Sequence, residues 1–237
     1  MEAAKVNAIS YFLAPHTFAA RVDDSIVLLD SRTDDYILIE ARLVPGFLSF
    51  LSPGAHKDIG AADDLTDLMK TLEERGSISA EPREGKPFEL IQRPRHNLEI
   101  PGPMIGAIPR VAAHHVVNML LALLKTVYLL RICGLASALR YAGRLKTGNL
   151  SGGPRGDPSD LVEIYNRVRP FFYSAKNRCL FNSLSMIIFL SKYGIVPGWW
   201  FGVKLKPFEA HCWVEDEQWL YNDQYARTWR YAPIMRV

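Results

Sequence analysis

Cysteine is scarce and the cysteines that exist do not pair. Cys133, Cys179 and Cys212 form an odd set among 237 residues. With no CxxC spacing they exclude a cysteine-rich zinc site and a disulfide framework, and suit reduced thiols in a cytoplasmic protein. No apolar core follows the opening MEAAKVNAISYF, where Glu2 stands near Lys5, so no secretory signal is expected. The longest uncharged apolar run, Val111 to Leu124, is 14 residues between Arg110 and Lys125 and carries His114, His115 and Asn118. A span needs roughly 18 residues or more, so no membrane crossing is expected. The glycine-rich GRLKTGNLSGGPRGDPSD lacks the GxxxxGK[ST] order that cradles phosphates, so no nucleotide or other cofactor is called for. His114 and His115 have no ligand four residues on, and suit a helix surface better than a metal.

What is present is a chain with 49% hydrophobic residues, enough for a sizeable core in one large or two small domains. Charge favours two. Residues 1–100 hold 11 Lys/Arg against 17 Asp/Glu, a balance of −6, whereas residues 101–237 hold 17 against 8, a balance of +9. The basic residues are dispersed and lack interleaved stacking aromatics, which argues against a nucleic-acid partner.

From Thr17 to Glu40, three short runs of β-branched and aromatic residues are broken by Asp23-Asp24 and by Ser31 to Asp35. Acidic turns between such runs predict a three-stranded antiparallel meander. A short helix is expected near Pro45, followed by an amphipathic helix capped by Asp63 or Asp64. Its apolar stripe is Leu65, Leu68, Met69 and Leu72, and it ends before Gly76. Residues 81–109 carry six prolines and read as an extended linker. The predicted organisation is an N-terminal domain at 1–80, a linker at 81–109 and a second domain at 110–237. The second opens with a long helical stretch, Val111 to Tyr141, divided near Gly134.

The chemistry is concentrated between Cys179 and Asp223. Cys179 opens the apolar run LFNSLSMIIFLSKYG, in which Leu180, Leu184, Ile187, Ile188 and Ser191 have helical spacing and Gly194 marks the exit. A thiol at a helix N-terminus faces unpaired N–H groups and the positive end of the dipole, so its thiolate is favoured, with Lys176 and Arg178 adding charge nearby. By placement alone, a small buried core cysteine is slightly the favoured reading. Three β-like runs follow, WWFGVKL, AHCWVED and QWLYND, with His211 at the start of the second and Asp223 at the end of the third. Antiparallel pairing can bring imidazole and carboxylate together, which completes the set a nucleophilic thiol needs: Cys179 to attack, His211 to move the proton, Asp223 to orient the ring. Backbone N–H groups at the helix start are natural oxyanion donors. Cys212, one residue beyond His211, is expected to point to the opposite strand face as packing.

These residues resemble the B proteins of lasso-peptide biosynthesis. The resemblance rests on Cys179-Leu180 with Ser183-Leu184, the helix exit Lys192-Tyr193-Gly194, Phe201-Gly202-Val203, Pro207-Phe208, Ala210-His211-x-Trp213-Val214-Glu215, and Asp223. Two departures are Cys212, where small Ala is common in the family, and Phe181-Asn182, where a basic side chain is often found. The resemblance implies an α+β protein: a winged-helix-like leader-recognition domain of three strands and three helices, fused to a transglutaminase-like, papain-like cysteine peptidase domain. It implies that Cys179, His211 and Asp223 hydrolyse the bond joining leader and core of a ribosomally made precursor peptide. The partner would be an asparagine-synthetase-like lasso cyclase that consumes ATP. The leader would add as a strand beside Tyr36, Ile37, Leu38 and Ile39, gripped from the helix by Leu65, Leu68, Met69 and Leu72. The alternative is a non-catalytic scaffold that binds the leader and presents the precursor to another enzyme.

Overall fold

The computed structural model describes residues 10–51, 63–93, 98–100, 109–147, 156–175 and 178–237. It divides into two compact units, Met1–Ile91 and Gln92–Val237. The fold is α+β, with a strand meander and helices in the first unit and helices packed with a five-stranded sheet in the second.

The first unit begins with β1 (Phe12–Leu13), then the meander β2 (Thr17–Val22), β3 (Ser25–Asp30) and β4 (Asp35–Ile39), paired antiparallel in that order. Both turns use an aspartate in the left-handed region, Asp23 at φ 54° and Asp34 at φ 61°, which Asp tolerates better than branched residues. Helices α1 (Val44–Leu51) and α2 (Asp63–Glu74) follow, then β5 (Ile78–Ser79), which pairs antiparallel with β1. Leu13, Ile26, Leu28, Ile39, Phe47, Leu65, Met69 and Leu72 share one apolar core. Gly76, at φ +67°, ends the helix where a side chain would be strained. A third helix, implied by the resemblance, is not among the described residues.

The stretch 81–109, expected as a linker, contributes to both units where it is described. Lys86 and Leu13 exchange two backbone hydrogen bonds and Phe88 packs on the first core, while Arg93 is built into the second unit. Proline-rich sequence is compatible with packing whenever its remaining N–H groups find partners, and composition does not reveal them. Residues 94–97 and 101–108 lie outside the described residues.

The second unit opens with β6 (Leu98–Glu99) and α3 (Ala113–Val127), which continues without a break as a π-helical segment, Tyr128–Cys133. Gly134, at φ +80°, separates it from α4 (Leu135–Thr147). The apolar run expected to stop at Leu124 therefore belongs to a longer helix, because a single Lys125 does not interrupt helical hydrogen bonding. Ala113–Cys133 is 21 residues and contains an 18-residue window of mean hydropathy 1.8, long and apolar enough to cross a membrane by length and composition. Helix α5 (Pro158–Val168) is capped by Asp157, whose carboxylate accepts from the N–H groups of Ser159 and Asp160.

Buried helix α6 (Cys179–Ser191) then leads into β7 (Gly198–Lys204), β8 (Glu209–Glu215), β9 (Trp219–Leu220), α7 (Tyr225–Thr228) and β10 (Ala232–Arg236). The strand order is β10-β7-β8-β9-β6, antiparallel except for the parallel pairing of β6 with β9. Helix α6 lies against β8 on one side and α3 on the other. Among the largest buried side chains are Trp199, Trp200 and Trp213, the last two directly opposite one another across β7 and β8.

At the end of β8, Glu215 is wholly buried and ion-paired with Arg93, whose side chain is 6% exposed. Arg93 Nε donates to both carboxylate oxygens, Trp213 Nε1 donates to Oε2 at 2.9 Å, and Arg93 Nη2 reaches Thr228 at 2.9 Å. One ion pair thus joins β8, α7 and the segment entering the domain. Arg93→Leu leaves the carboxylate buried without its cation, and lowers stability by about 3–5 kcal/mol in urea unfolding of the full chain.

Candidate functional site

Cys179 is the first residue of α6. Its preceding residue, Arg178, provides no side-chain cap, and the first turn holds no acidic residue. The opening N–H groups and the positive end of the helix are therefore available to a thiolate or to a developing oxyanion. Lys176 lies outside the described residues.

The imidazole comes from the third residue of β8. Gly202, directly opposite His211 on β7, has no side chain, and a Cβ there would meet Trp213 and Tyr231 at 2.9 Å. Those two rings close over the gap and wall His211, at centroid distances of 6.1 and 5.1 Å. Asp223 lies in the turn before α7, because the strand predicted to end on it, β9, stops three residues earlier at Leu220. Its Oδ2 is 2.5 Å from His211 Nε2, and its Oδ1 accepts from the Gln224 N–H at 2.7 Å. With Nε2 engaged by the carboxylate, Nδ1 is the nitrogen left for Cys179, to which His211 is also hydrogen-bonded. The three residues predicted to act together are therefore brought together in one cleft of about 550 Å³, also lined by Arg169, Asn182 and Asn222.

The electrostatics are those of an ion pair. The Cys179 thiol is lowered to about 4, first by the Cys212 thiol donating to it, then by the His211 ring and the Cys212 backbone N–H, against an opposing penalty from burial. Burial alone would depress His211, but hydrogen bonds to Asp223 and Cys179 and their negative charges outweigh it and raise the ring to about 9. Burial likewise raises Asp223, and its bonds to His211 and Gln224 reverse that and hold it below its ordinary value. Between those limits the resting state is thiolate, imidazolium and carboxylate.

Cys212 packs as expected and has a second effect. It is buried on β8 with its thiol 3.8 Å from the Ser183 hydroxyl, its proximity is the first cause of the lowered Cys179 pKa, and burial raises its own pKa well above the ordinary thiol value. Strand alternation correctly separates it from His211; what alternation cannot show is that the N-terminus of α6 reaches over that second face.

Two polar clusters that sequence reasoning missed hold the helix in place. Ser183, buried, donates to the Cys212 carbonyl at 3.3 Å and accepts from Asn222 Nδ2 at 2.9 Å, while Asn222 Oδ1 accepts from the Val214 N–H at 2.8 Å. On another side, Asn182 Oδ1 accepts from Tyr173 at 3.0 Å and Arg169 at 3.3 Å, and Ser185 is 2.6 Å from the Tyr165 hydroxyl. Polar Asn182, Ser183 and Ser185 within an otherwise apolar helix were the available signal, since buried polar groups require partners. Among the described residues no cluster of His, Cys, Asp and Glu could hold a metal ion.

The residues expected to grip a leader divide differently. Ile39, Leu65, Met69 and Leu72 are buried in the core of the first unit, and Leu68 packs partly against it. Tyr36 and Ile37 are half-buried and Leu38 is 51% exposed. β4 is an edge strand of its sheet, so one row of its backbone groups is not paired by a neighbouring strand of that sheet. An amphipathic stripe identifies side chains that face inward, but whether they face a ligand or their own core depends on tertiary packing.

Residues 120–236 match the family model of the transglutaminase-like superfamily, a span that contains Cys179, His211 and Asp223, and the C-terminal domain is transglutaminase-like. That superfamily includes cysteine peptidases and other cysteine hydrolases and transferases. No curated protein and no solved structure matches the chain.

Alkylation of Cys179 by iodoacetamide is expected to rise through a limb at about pH 4 as the thiolate forms. Cys212→Ala removes the largest stabilising donor, so that limb moves to higher pH; an unmoved limb means that the Cys212 thiol does not lower the Cys179 pKa.

Proposed function

We propose that the chain is a cysteine peptidase that removes the leader from a ribosomally made precursor peptide of the lasso class. The observation that carries this reading is the hydrogen-bonded series Asp223–His211–Cys179 at the start of α6. Thiolate attack on the carbonyl at the leader–core junction forms a tetrahedral intermediate, its oxyanion received by N–H groups at the helix N-terminus. His211 delivers its proton to the leaving amine, the thioester forms at Cys179, and His211 then takes a proton from the water that releases the leader acid. Asp223 keeps the ring oriented with Nδ1 toward sulfur throughout.

Leader recognition is assigned to the edge of β4. An extended peptide would hydrogen-bond along the edge of β4, with Tyr36, Ile37 and Leu38 as contacts, while Ile39, Leu65, Met69 and Leu72 hold the platform rigid from beneath. A polar cleft of about 290 Å³ lined by Asp30, Arg32, Asp35, Ile37 and Arg75 adjoins that strand and offers charged partners. A cytoplasmic setting and an ATP-consuming lasso cyclase as partner complete the proposal. Tethering the leader raises the local concentration of the scissile bond, so weak contacts at the thiol suffice.

In assays of the full chain with the precursor encoded beside it, product masses locate the cut and distinguish a free leader from a leader conjugate, which would mean acyl transfer. Cys179→Ala is expected to abolish cleavage while leader binding persists; retained cleavage sinks the proposal. Asp223→Asn lowers kcat by on the order of 10²–10⁴, because the ring loses its orientation and the charge that stabilises its protonated form. kcat/KM rises through about pH 4, where the thiolate forms, and falls through about pH 9, where His211 loses the proton it must donate. Leu38→Asp weakens leader affinity by about tenfold in a fluorescence titration without lowering Tm, since the side chain lies outside the core.

A further inference from the structure

Helix α3 and its π-helical extension have two apolar faces, and the domain uses one. Met119, Ala122, Leu123 and Thr126 are buried on the side that packs against α6, where Asn118 also donates to the Tyr193 hydroxyl at 3.0 Å. The other side exposes Val117, Leu120, Leu121, Leu124, Val127 and Tyr128, and Ile132 beyond them is 73% exposed. At 100° per residue the first six fall within about 120° of the wheel, centred opposite the buried face and extending about 17 Å along the axis. Leu124 stands at the centre, 66% exposed. Apolar residues scattered singly on a surface mean little, but a continuous stripe of this kind requires a partner.

The charge around the stripe selects that partner. From Ile100 to Gly156 the sequence contains no Asp or Glu at all. Arg110, Lys125, Arg131, Arg140, Arg144 and Lys146 all fall within the described part of this acid-free stretch. Lys125 lies over the rings of Tyr128 and Tyr141 at the border of the stripe, at 5.4 and 5.0 Å, and Arg131 is exposed near its end. A second copy would bring the same cations against each other with no carboxylate on this stretch to meet them. A spanning helix would have to withdraw Met119, Ala122 and Thr126 from α6. A convex apolar face bordered by cations and a ring with a polar tip matches instead the boundary between acyl chains and anionic headgroups.

We propose that the exposed face of α3 and its extension docks the protein on an anionic phospholipid surface, with the helix lying in the plane of the interface. Burial of the Val117–Tyr128 stripe supplies the apolar contribution, and the acid-free cations supply attraction that falls with ionic strength. The thiol chemistry is unaffected, because the docking face is the side of α3 away from α6.

The test is sedimentation of the full-length chain with vesicles of phosphatidylcholine alone and of phosphatidylcholine containing about 30 mol% phosphatidylglycerol. Partitioning is expected to be about tenfold stronger on the anionic vesicles and to weaken at about 0.5 M salt. The double variant Leu121→Glu/Leu124→Glu is expected to lose about tenfold or more of that binding. Its Tm and the rate of Cys179 alkylation are expected to stay unchanged, since neither side chain supports the fold. Wild-type protein that stays in the supernatant with both vesicle types overturns the proposal in favour of a protein partner. So does wild-type self-association abolished by the double variant, which would make the stripe an interface between copies.

Discussion

The site depends on one contact, the N-terminal turn of α6 held against the middle of β8. That contact puts a thiol, an uncapped helix end and an imidazole within hydrogen-bonding reach, and each changes the others. Cys212 and then His211 make the thiolate the resting form against the penalty of burial, Asp223 and the thiolate make the imidazolium the resting form, and the imidazolium keeps Asp223 ionised. None of the three shifts survives alone, because burial opposes the charged form of every member.

Holding the contact falls to groups that do not react. Ser183 ties the helix to the Cys212 carbonyl and, through Asn222, to the Val214 N–H, so the chain leading to Asp223 is anchored to the strand that carries His211. On the far side, Tyr165, Tyr173 and Arg169 bind Ser185 and Asn182. Gly202 allows Trp213 and Tyr231 to close beside the ring, and the Arg93–Glu215 pair closes the end of β8. These polar groups are buried or half-buried, and a buried donor without a partner costs more than the bond contributes, so the arrangement is specified as well as stabilised.

The two units differ in chemistry. The first has an acidic sequence, an apolar core under a three-stranded sheet and β4 at the edge of that sheet. The second concentrates cations around a wholly apolar helix face and holds the nucleophile elsewhere. In the proposed reading, binding, catalysis and surface attachment rest on different elements, and a substitution on one need not disturb the others.

The meander was legible from β-branched runs and acidic turns, α2 from its stripe and aspartate start, and the break between helices at Gly134 from the one residue there that accepts positive φ. Cys179, His211 and Asp223 were legible as residue types in order, because a helix start and strand spacing are local properties. Local sequence could not say that Cys212 donates to the thiolate, that Ser183 and Asn222 hold the helix, that Arg93 serves the second unit, or that Leu65, Met69 and Leu72 face their own core. Nor could it say that α3 leaves the stripe from Val117 to Tyr128 uncovered. Periodicity determines which side chains share a face, and only packing in three dimensions determines what that face meets.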